Sequence, residues 1–174
     1  MEKIEVMIPR EKIDERVKQI AEQINKDYEN REIHIICVLK GGVFFAVELA
    51  RYLTVPVTID FMSVSSYGND TKSSGVVRIV KDLDEPLQGK DVLVVEDIMD
   101  SGRTLSYLMN LLRDRRPASL RLCALLDKPD RRVTPVSVDY TGFQIEDKFV
   151  VGCGMDYRQR YRNLPYIGVV SLEE

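Results

Sequence analysis

Val92-Leu93-Val94-Val95-Glu96-Asp97-Ile98-Met99-Asp100-Ser101-Gly102-Arg103-Thr104-Leu105 is the stretch from which the rest of the chain is read. Four apolar residues, mostly β-branched, predict a buried parallel strand. Two adjacent carboxylates, Glu96 and Asp97, stand where that strand is expected to end. Asp100, Gly102 and the hydroxyls of Ser101 and Thr104 follow, and a helical pattern begins behind them. Backbone N–H groups at a helix start, flanked by hydroxyls, can cradle an anion. Adjacent residues within a strand point to opposite faces, so Glu96 and Asp97 cannot chelate one ion equivalently from inside it. Beyond the strand end they can face a sugar diol and a hydrated Mg²⁺, a cation that shares its oxygen ligands with phosphates.

Working outward, residues 33–39 form a short apolar run, read as a second buried strand. Lys40-Gly41-Gly42 interrupts it, and residues 43–53 read as a helix. Glycines in such a turn let the backbone approach a ligand and aim N–H groups at an anion. The spacing is not that of a P-loop. Downstream, a helix is expected over about 104–116, with Leu105, Leu108, Leu111 and Leu112 on one face and Pro117 as its stop. Residues 120–126 read as the next strand, ending at Asp127-Lys128-Pro129. Strands alternating with helices from 33 to 128 imply an α/β fold with a mainly parallel sheet and right-handed crossovers. Ligands bind such sheets at the carboxyl ends of the strands. The turns at Lys40-Gly41-Gly42, 96–104 and Asp127-Lys128 all fall on that edge.

The flanks carry less chemistry. Ile13, Val17, Ile20 and Ile24 recur at helical spacing within 10–30, a packing helix. Residues 57–64 and 76–80 read as a hairpin around the small polar stretch 65–75. A loop of that length is either a functional lid or a loose tip. Short strands over 136–145, 149–151 and 166–170 are expected to pack over the strand ends. A single domain over 1–174 follows, with a core of about 10–135 and a hood from the N-terminal residues and about 136–174.

Composition excludes several classes. The 174 residues are 44% hydrophobic and 30% charged, ordinary for a folded domain. A net charge of −3 argues against a nucleic-acid binder. Arg113, Arg115, Arg116, Arg131, Arg132, Arg158, Arg160 and Arg162 nevertheless crowd the second half, as a solvated face or for an anionic ligand. With one histidine, His34, a multi-His metal site is out of reach and a Ser-His-Asp triad improbable. Cys37, Cys123 and Cys153 form no CxxC pair and are expected as reduced thiols. No apolar run spans a bilayer and no leader pattern opens the chain, so a cytoplasmic protein without a membrane partner is expected.

The segment Val94 through Leu105 closely resembles the phosphoribosyl-diphosphate (PRPP) motif of type I phosphoribosyltransferases. Leu39-Lys40-Gly41-Gly42, Ser65-Ser66-Tyr67-Gly68, Leu125-Leu126-Asp127-Lys128-Pro129, Lys148-Phe149-Val150-Val151-Gly152, Asp156-Tyr157 and Arg162-Asn163-Leu164-Pro165 resemble the hypoxanthine-guanine branch. Their order and spacing match across roughly residues 5–172.

The resemblance implies the type I phosphoribosyltransferase fold and transfer of phosphoribosyl from PRPP to N9 of hypoxanthine or guanine. It places the 5′-phosphate on Asp100, Ser101, Gly102, Arg103 and Thr104, and the ribose hydroxyls and Mg²⁺ on Glu96 and Asp97. Pyrophosphate falls to Leu39, Lys40, Gly41 and Gly42, through a cis peptide before the lysine, and to Arg162. Ser66 and Tyr67 belong to a closing lid. Lys128 meets the purine 6-oxo group, Phe149 stacks on the base and Val150 reads its edge. Asp156 lies by the base and helps hold a second Mg²⁺. Asp100 is the expected general acid/base toward N7. A homodimer or homotetramer is implied as well. Xanthine remains an open substrate, whereas Lys128 with Phe149-Val150 argues against a pyrimidine.

Overall fold

The computed structural model describes residues 1–66 and 76–172. Its central strands are the apolar runs. β2 (Ile33–Val38) is buried at every position, and β5 (Asp91–Met99) is buried from Val92 to Val95. A strand buried on both faces needs cover on both, and alternate side chains divide accordingly. Ile33, Ile35, Cys37, Leu93 and Val95 join one apolar cluster with α1 (Arg10–Asp27) and α2 (Val43–Tyr52). Ile36, Val38, Val92 and Val94 join a second with α3 (Arg103–Arg113), through Leu105, Leu108, Met109 and Leu112. Cys37 and Cys123 are buried thiols in the first cluster, and burial pushes the Cys37 pKa up to about 12.

Six strands form the main sheet, completed by β3 (Val57–Ser66), β4 (Val77–Lys81), β6 (Ser119–Asp127) and β7 (Tyr140–Gln144). Their order is β4-β3-β2-β5-β6-β7, and β4 alone runs antiparallel, pairing with β3. From β2 the chain turns one way to β3 and later the other way to β5. The turns that leave β2 and β5 therefore diverge to opposite faces and open a crevice between their carboxyl ends. A three-stranded antiparallel sheet stands apart, ordered β1 (Glu2–Ile8), β9 (Ile167–Leu172), β8 (Val150–Val151).

Three expectations need correction. β5 does not end at Glu96 but continues to Met99, because β6 runs beside it and pairs Glu96 with Ala124, Ile98 with Leu126 and Met99 with Asp127. Residues 140–144, expected in the hood, are the sixth strand of the core sheet, parallel to β6. Gly142 permits that approach, since a Cβ there would meet the Leu125 carbonyl. Finally, α3 begins at Arg103 and closes at Arg113, earlier than Pro117 suggested. Of the expected lid, Ser66 ends β3 opposite Val77, whereas Tyr67 lies outside the described residues. Among the described residues no helix is long and apolar enough to cross a membrane.

Candidate active site

The turn after β2 is built for close approach. Leu39 N–H donates to Met62 O (2.8 Å), and Gly42 N–H donates to Val38 O (3.1 Å). The Leu39–Lys40 peptide is cis, as expected. A Cβ at Gly41 would overlap the Asp97 carboxylate. One at Gly42 would stand 2.8 Å from Val38 O and 3.0 Å from Val95 O. The β2 turn is thus pressed against the acidic end of β5 across the crevice.

Glu96 and Asp97 are adjacent residues of β5, both half-buried. Asp97 N–H donates to Glu96 Oε1 (3.1 Å), and Ile98 N–H to Asp97 Oδ1 (2.7 Å). Burial, and then the charge of Asp97, holds the Glu96 carboxyl well above the usual carboxylate range. Burial raises Asp97 too, against the Ile98 N–H bond and, to a smaller extent, the positive charge of Arg162. Among the described residues neither carboxylate forms an ion pair within 4.0 Å. Because β5 runs on to Met99, the two side chains leave it on opposite faces, and each half-shielded carboxylate can accept from a sugar diol or from the water shell of a divalent cation on its own side. Among the described residues no three or more His, Cys, Asp or Glu side chains are grouped so as to hold a metal ion by themselves. Carboxylates that leave room for water and substrate oxygens suit Mg²⁺, which keeps several waters when bound.

Beyond the pair, the chain turns through Gly102, at φ +83°, into α3. The first turn of any helix has N–H groups without intrahelical partners. Arg103 N–H is met by Ser101 Oγ at 3.3 Å. A cavity of about 130 Å³ lies here, lined by residues including Asp100, Ser101, Gly102 and Thr104. A second segment braces the loop from behind. Val133 N–H and Thr134 N–H both donate to Ser101 O (2.9 and 3.1 Å), and Arg132 Nε donates to Asp100 O (3.2 Å). Arg132 also pairs with Asp127.

Lys128 follows β6 directly. Its N–H donates to Met99 O (2.9 Å), which stitches this turn to the acidic loop. Its side chain is buried, with Nζ 3.5 Å from Asp147 Oδ1. Arg131, in a single 3-10 turn over Pro129–Arg131, donates from Nε to Asp100 Oδ1 (3.0 Å) and from Nη1 to Asp147 Oδ2 (3.4 Å). Phe149 is 54% exposed and packs edge-on against Tyr157, with 5.7 Å between ring centroids. Val150 is buried in β8 opposite Val169.

On the β2 side, Lys40 Nζ donates to Gln159 Oε1 (3.2 Å). Arg162 donates to the same oxygen (3.1 Å), to Gly154 O (2.7 Å), and lies 3.4 Å from Asp156 Oδ1. Gln159 N–H donates to Asp156 Oδ2 (2.8 Å). Lys40, Asp156 and Arg162 are thus brought together through Gln159. Asp100 and Lys128 are brought together through Arg131 and Asp147. Arg131, Asp147 and Gln159 were not singled out as site residues in the sequence. Arg131 stood among the crowded arginines, but no spacing marked it off from Arg115, which pairs with Asp82, or Arg158, which lies over the Tyr157 ring.

An acidic pair, a helix-start cradle and a buried lysine on one sheet edge agree with the comparisons to known proteins. The phosphoribosyl transferase domain family matches residues 9–158. The chain belongs to this family. It is 50% identical over 172 residues to the hypoxanthine-guanine phosphoribosyltransferase of Mycobacterium bovis, covering 95% of this chain and 85% of that one. Identity is 47% over 166 residues to the enzyme of that name from Bacillus subtilis, covering 95% and 92%. A crystal structure of a hypoxanthine-guanine phosphoribosyltransferase from Bacillus anthracis superposes with a TM-score of 0.94 at 48% identity, over 97% of this chain and all of that one. A hypoxanthine phosphoribosyltransferase from Staphylococcus aureus gives 0.93 at 43% identity, over 96% and 91%.

Proposed function

We propose that this chain is a purine-salvage enzyme, transferring the 5-phosphoribosyl group of PRPP to N9 of hypoxanthine and of guanine. The products are IMP or GMP and pyrophosphate. The observation that carries the reading is the stitch between Lys128 N–H and Met99 O (2.9 Å). It sets a buried cation next to the loop that holds Asp100 and the helix-start cradle.

The roles in this reading are these. The α3 start, with Ser101, Gly102, Arg103 and Thr104, takes the 5′-phosphate at the helix N-terminus. Glu96 and Asp97 orient the ribose hydroxyls. The turn Leu39-Lys40-Gly41-Gly42 and Arg162 receive the pyrophosphate as its bond to C1′ breaks. Phe149 stacks on the base, and Val150 and Asp156 lie along its edge. Lys128 donates to the 6-oxo acceptor, which a 6-amino group cannot provide. Asp100 accepts the N7 proton as N9 closes on C1′, in a transition state resembling an oxocarbenium ion. Mg²⁺ at Glu96 and Asp97, and a second ion beside Asp156, would supply charge neutralisation to the leaving pyrophosphate.

Assaying PRPP- and Mg²⁺-dependent conversion of hypoxanthine, guanine, xanthine and adenine, with pyrophosphate measured, tests the reading. Turnover of hypoxanthine and guanine is expected. Absence of any purine turnover, or adenine turnover equal to hypoxanthine, overturns it. The reading includes a cytoplasmic homodimer or homotetramer. Phe44, Ile59 and Phe61 are exposed apolar side chains that a subunit contact would cover. A monomer by light scattering at assay concentration would remove that part.

A further inference from the structure

Four charged side chains form an alternating chain at the purine side of the site. Asp100 Oδ1 accepts from Arg131 Nε at 3.0 Å. Arg131 Nη1 lies 3.4 Å from Asp147 Oδ2, and Asp147 Oδ1 lies 3.5 Å from Lys128 Nζ. The chain starts at the proposed proton acceptor and ends at the proposed 6-oxo donor. Neither inner member is assigned to any ligand.

We propose that Arg131 and Asp147 are positioning residues that set the spacing between Asp100 and Lys128, and so match the site to the N7–O6 edge of a 6-oxopurine. This inference rests on the roles given above to Asp100 and Lys128.

Each end group commits only part of its hydrogen-bonding capacity to the chain. Asp100 uses Oδ1, leaving Oδ2 for the N7 proton. Lys128 uses one direction around Nζ, leaving its other N–H groups for O6. A free carboxylate or ammonium would rotate, and a reacting group acts well only when a further group orients it. One planar guanidinium meeting two carboxylates from two of its nitrogens is a rigid spacer. An ammonium, a compact point charge, is not.

Stability does not explain the arrangement. Asp100, Arg131 and Asp147 have side chains 47%, 51% and 48% exposed, and ion pairs that exposed stabilise a fold little. The fold should therefore tolerate their replacement.

Steady-state kinetics of Arg131→Ala, Arg131→Lys, Asp147→Asn and the double variant, with hypoxanthine and PRPP varied separately, test the proposal. Arg131→Ala should lower kcat by about 10-fold or more, with KM for PRPP within about twofold of the parent. Arg131→Lys should recover only part of the loss, because it reaches one carboxylate at a time. Asp147→Asn should raise KM for hypoxanthine by roughly 5-fold, and the double variant should lose less than the product of the single losses, because both break one chain. Thermal melts check that each variant is folded, and Arg131→Gln replaces any Arg131→Ala that is not. The proposal is overturned by an unchanged kcat in folded Arg131→Ala, by a loss confined to KM for PRPP, or by losses that simply multiply. A parent chain without PRPP-dependent turnover would remove the functional reading, and the inference with it. A parent that turns over while Arg131→Ala matches it removes the inference alone.

Discussion

Gly41 faces Asp97 so closely that a methyl group on the glycine would occupy the space of the carboxylate. The contact crosses the crevice between β2 and β5, where the strand order reverses. It fixes how near the proposed pyrophosphate turn comes to the acidic pair. Gly41→Ala should therefore push Asp97 aside. Misplacing a positioning group by about 1 Å can cost roughly 100-fold in rate. We expect kcat/KM for PRPP to fall by about that factor, and initial rates at low PRPP would register it. A variant as active as the parent would mean that the two turns do not need this approach.

Asp100→Asn keeps the shape of the side chain and its capacity to accept from Arg131, but removes the base. The expected loss in kcat is about 10²–10⁴-fold, the range for a general acid–base group. KM for PRPP should change little. Single-turnover measurements separate chemistry from product release, and near-parental turnover would rule Asp100 out as the proton acceptor.

Lys128 should make adenine a poor substrate by its charge. In the proposed site, a buried ammonium would meet an acceptor in hypoxanthine and a second donor in adenine. Sites built on a buried hydrogen-bonding partner discriminate by about 10⁴-fold or more. Relative kcat/KM for the two bases measures this directly. Lys128→Gln, whose amide both donates and accepts, should narrow the ratio chiefly by losing hypoxanthine activity.

Asp60 is a structural case with a pH signature. Its buried carboxylate accepts N–H bonds from Phe61 (2.8 Å), Asp84 (2.9 Å) and Glu85 (3.0 Å), tying residues 84–85 to β3. Burial alone would raise its pKa. The N–H donors from Glu85, Phe61 and Asp84 outweigh it and, with Lys81, leave the carboxyl below its usual value. A carboxyl depressed in the folded state contributes stability above its unfolded pKa and loses it as pH falls through the folded one. Asp60→Ala strands three donors and should cost about 2–4 kcal/mol at neutral pH. Urea melts of parent and variant should converge as the pH drops below about 4, the unfolded value. A gap that stays constant down to acid pH would contradict the sign.

Most of the fold was legible because its signals are local. The buried runs at 33–38 and 92–95, the Leu105–Leu112 stripe and the glycines after β2 each follow from spacing within one segment. The same holds for much of the proposed site, since Glu96, Asp97, Asp100 and the residues after it are consecutive. What spacing could not supply was pairing. Whether β5 stops at Glu96 or runs on depends on the length of β6 beside it, and whether 140–144 joins the core depends on Gly142 fitting under Leu125.

The sequence by itself determined the element order, the sheet edge that carries the chemistry and the residue types gathered there. These come from hydrophobic periodicity and from motif residues that lie next to one another. Only the tertiary structure decided which charges meet. Arg131 looks like any other arginine of a crowded basic half until it is found bonding Asp100, 31 positions back, and Asp147, 16 positions ahead. Gln159 carries no charge and no motif until Lys40, 119 positions earlier, donates to it. Electrostatic and hydrogen-bonding partners are chosen by distance in space, and no periodicity along the chain encodes a contact between side chains that distant in sequence.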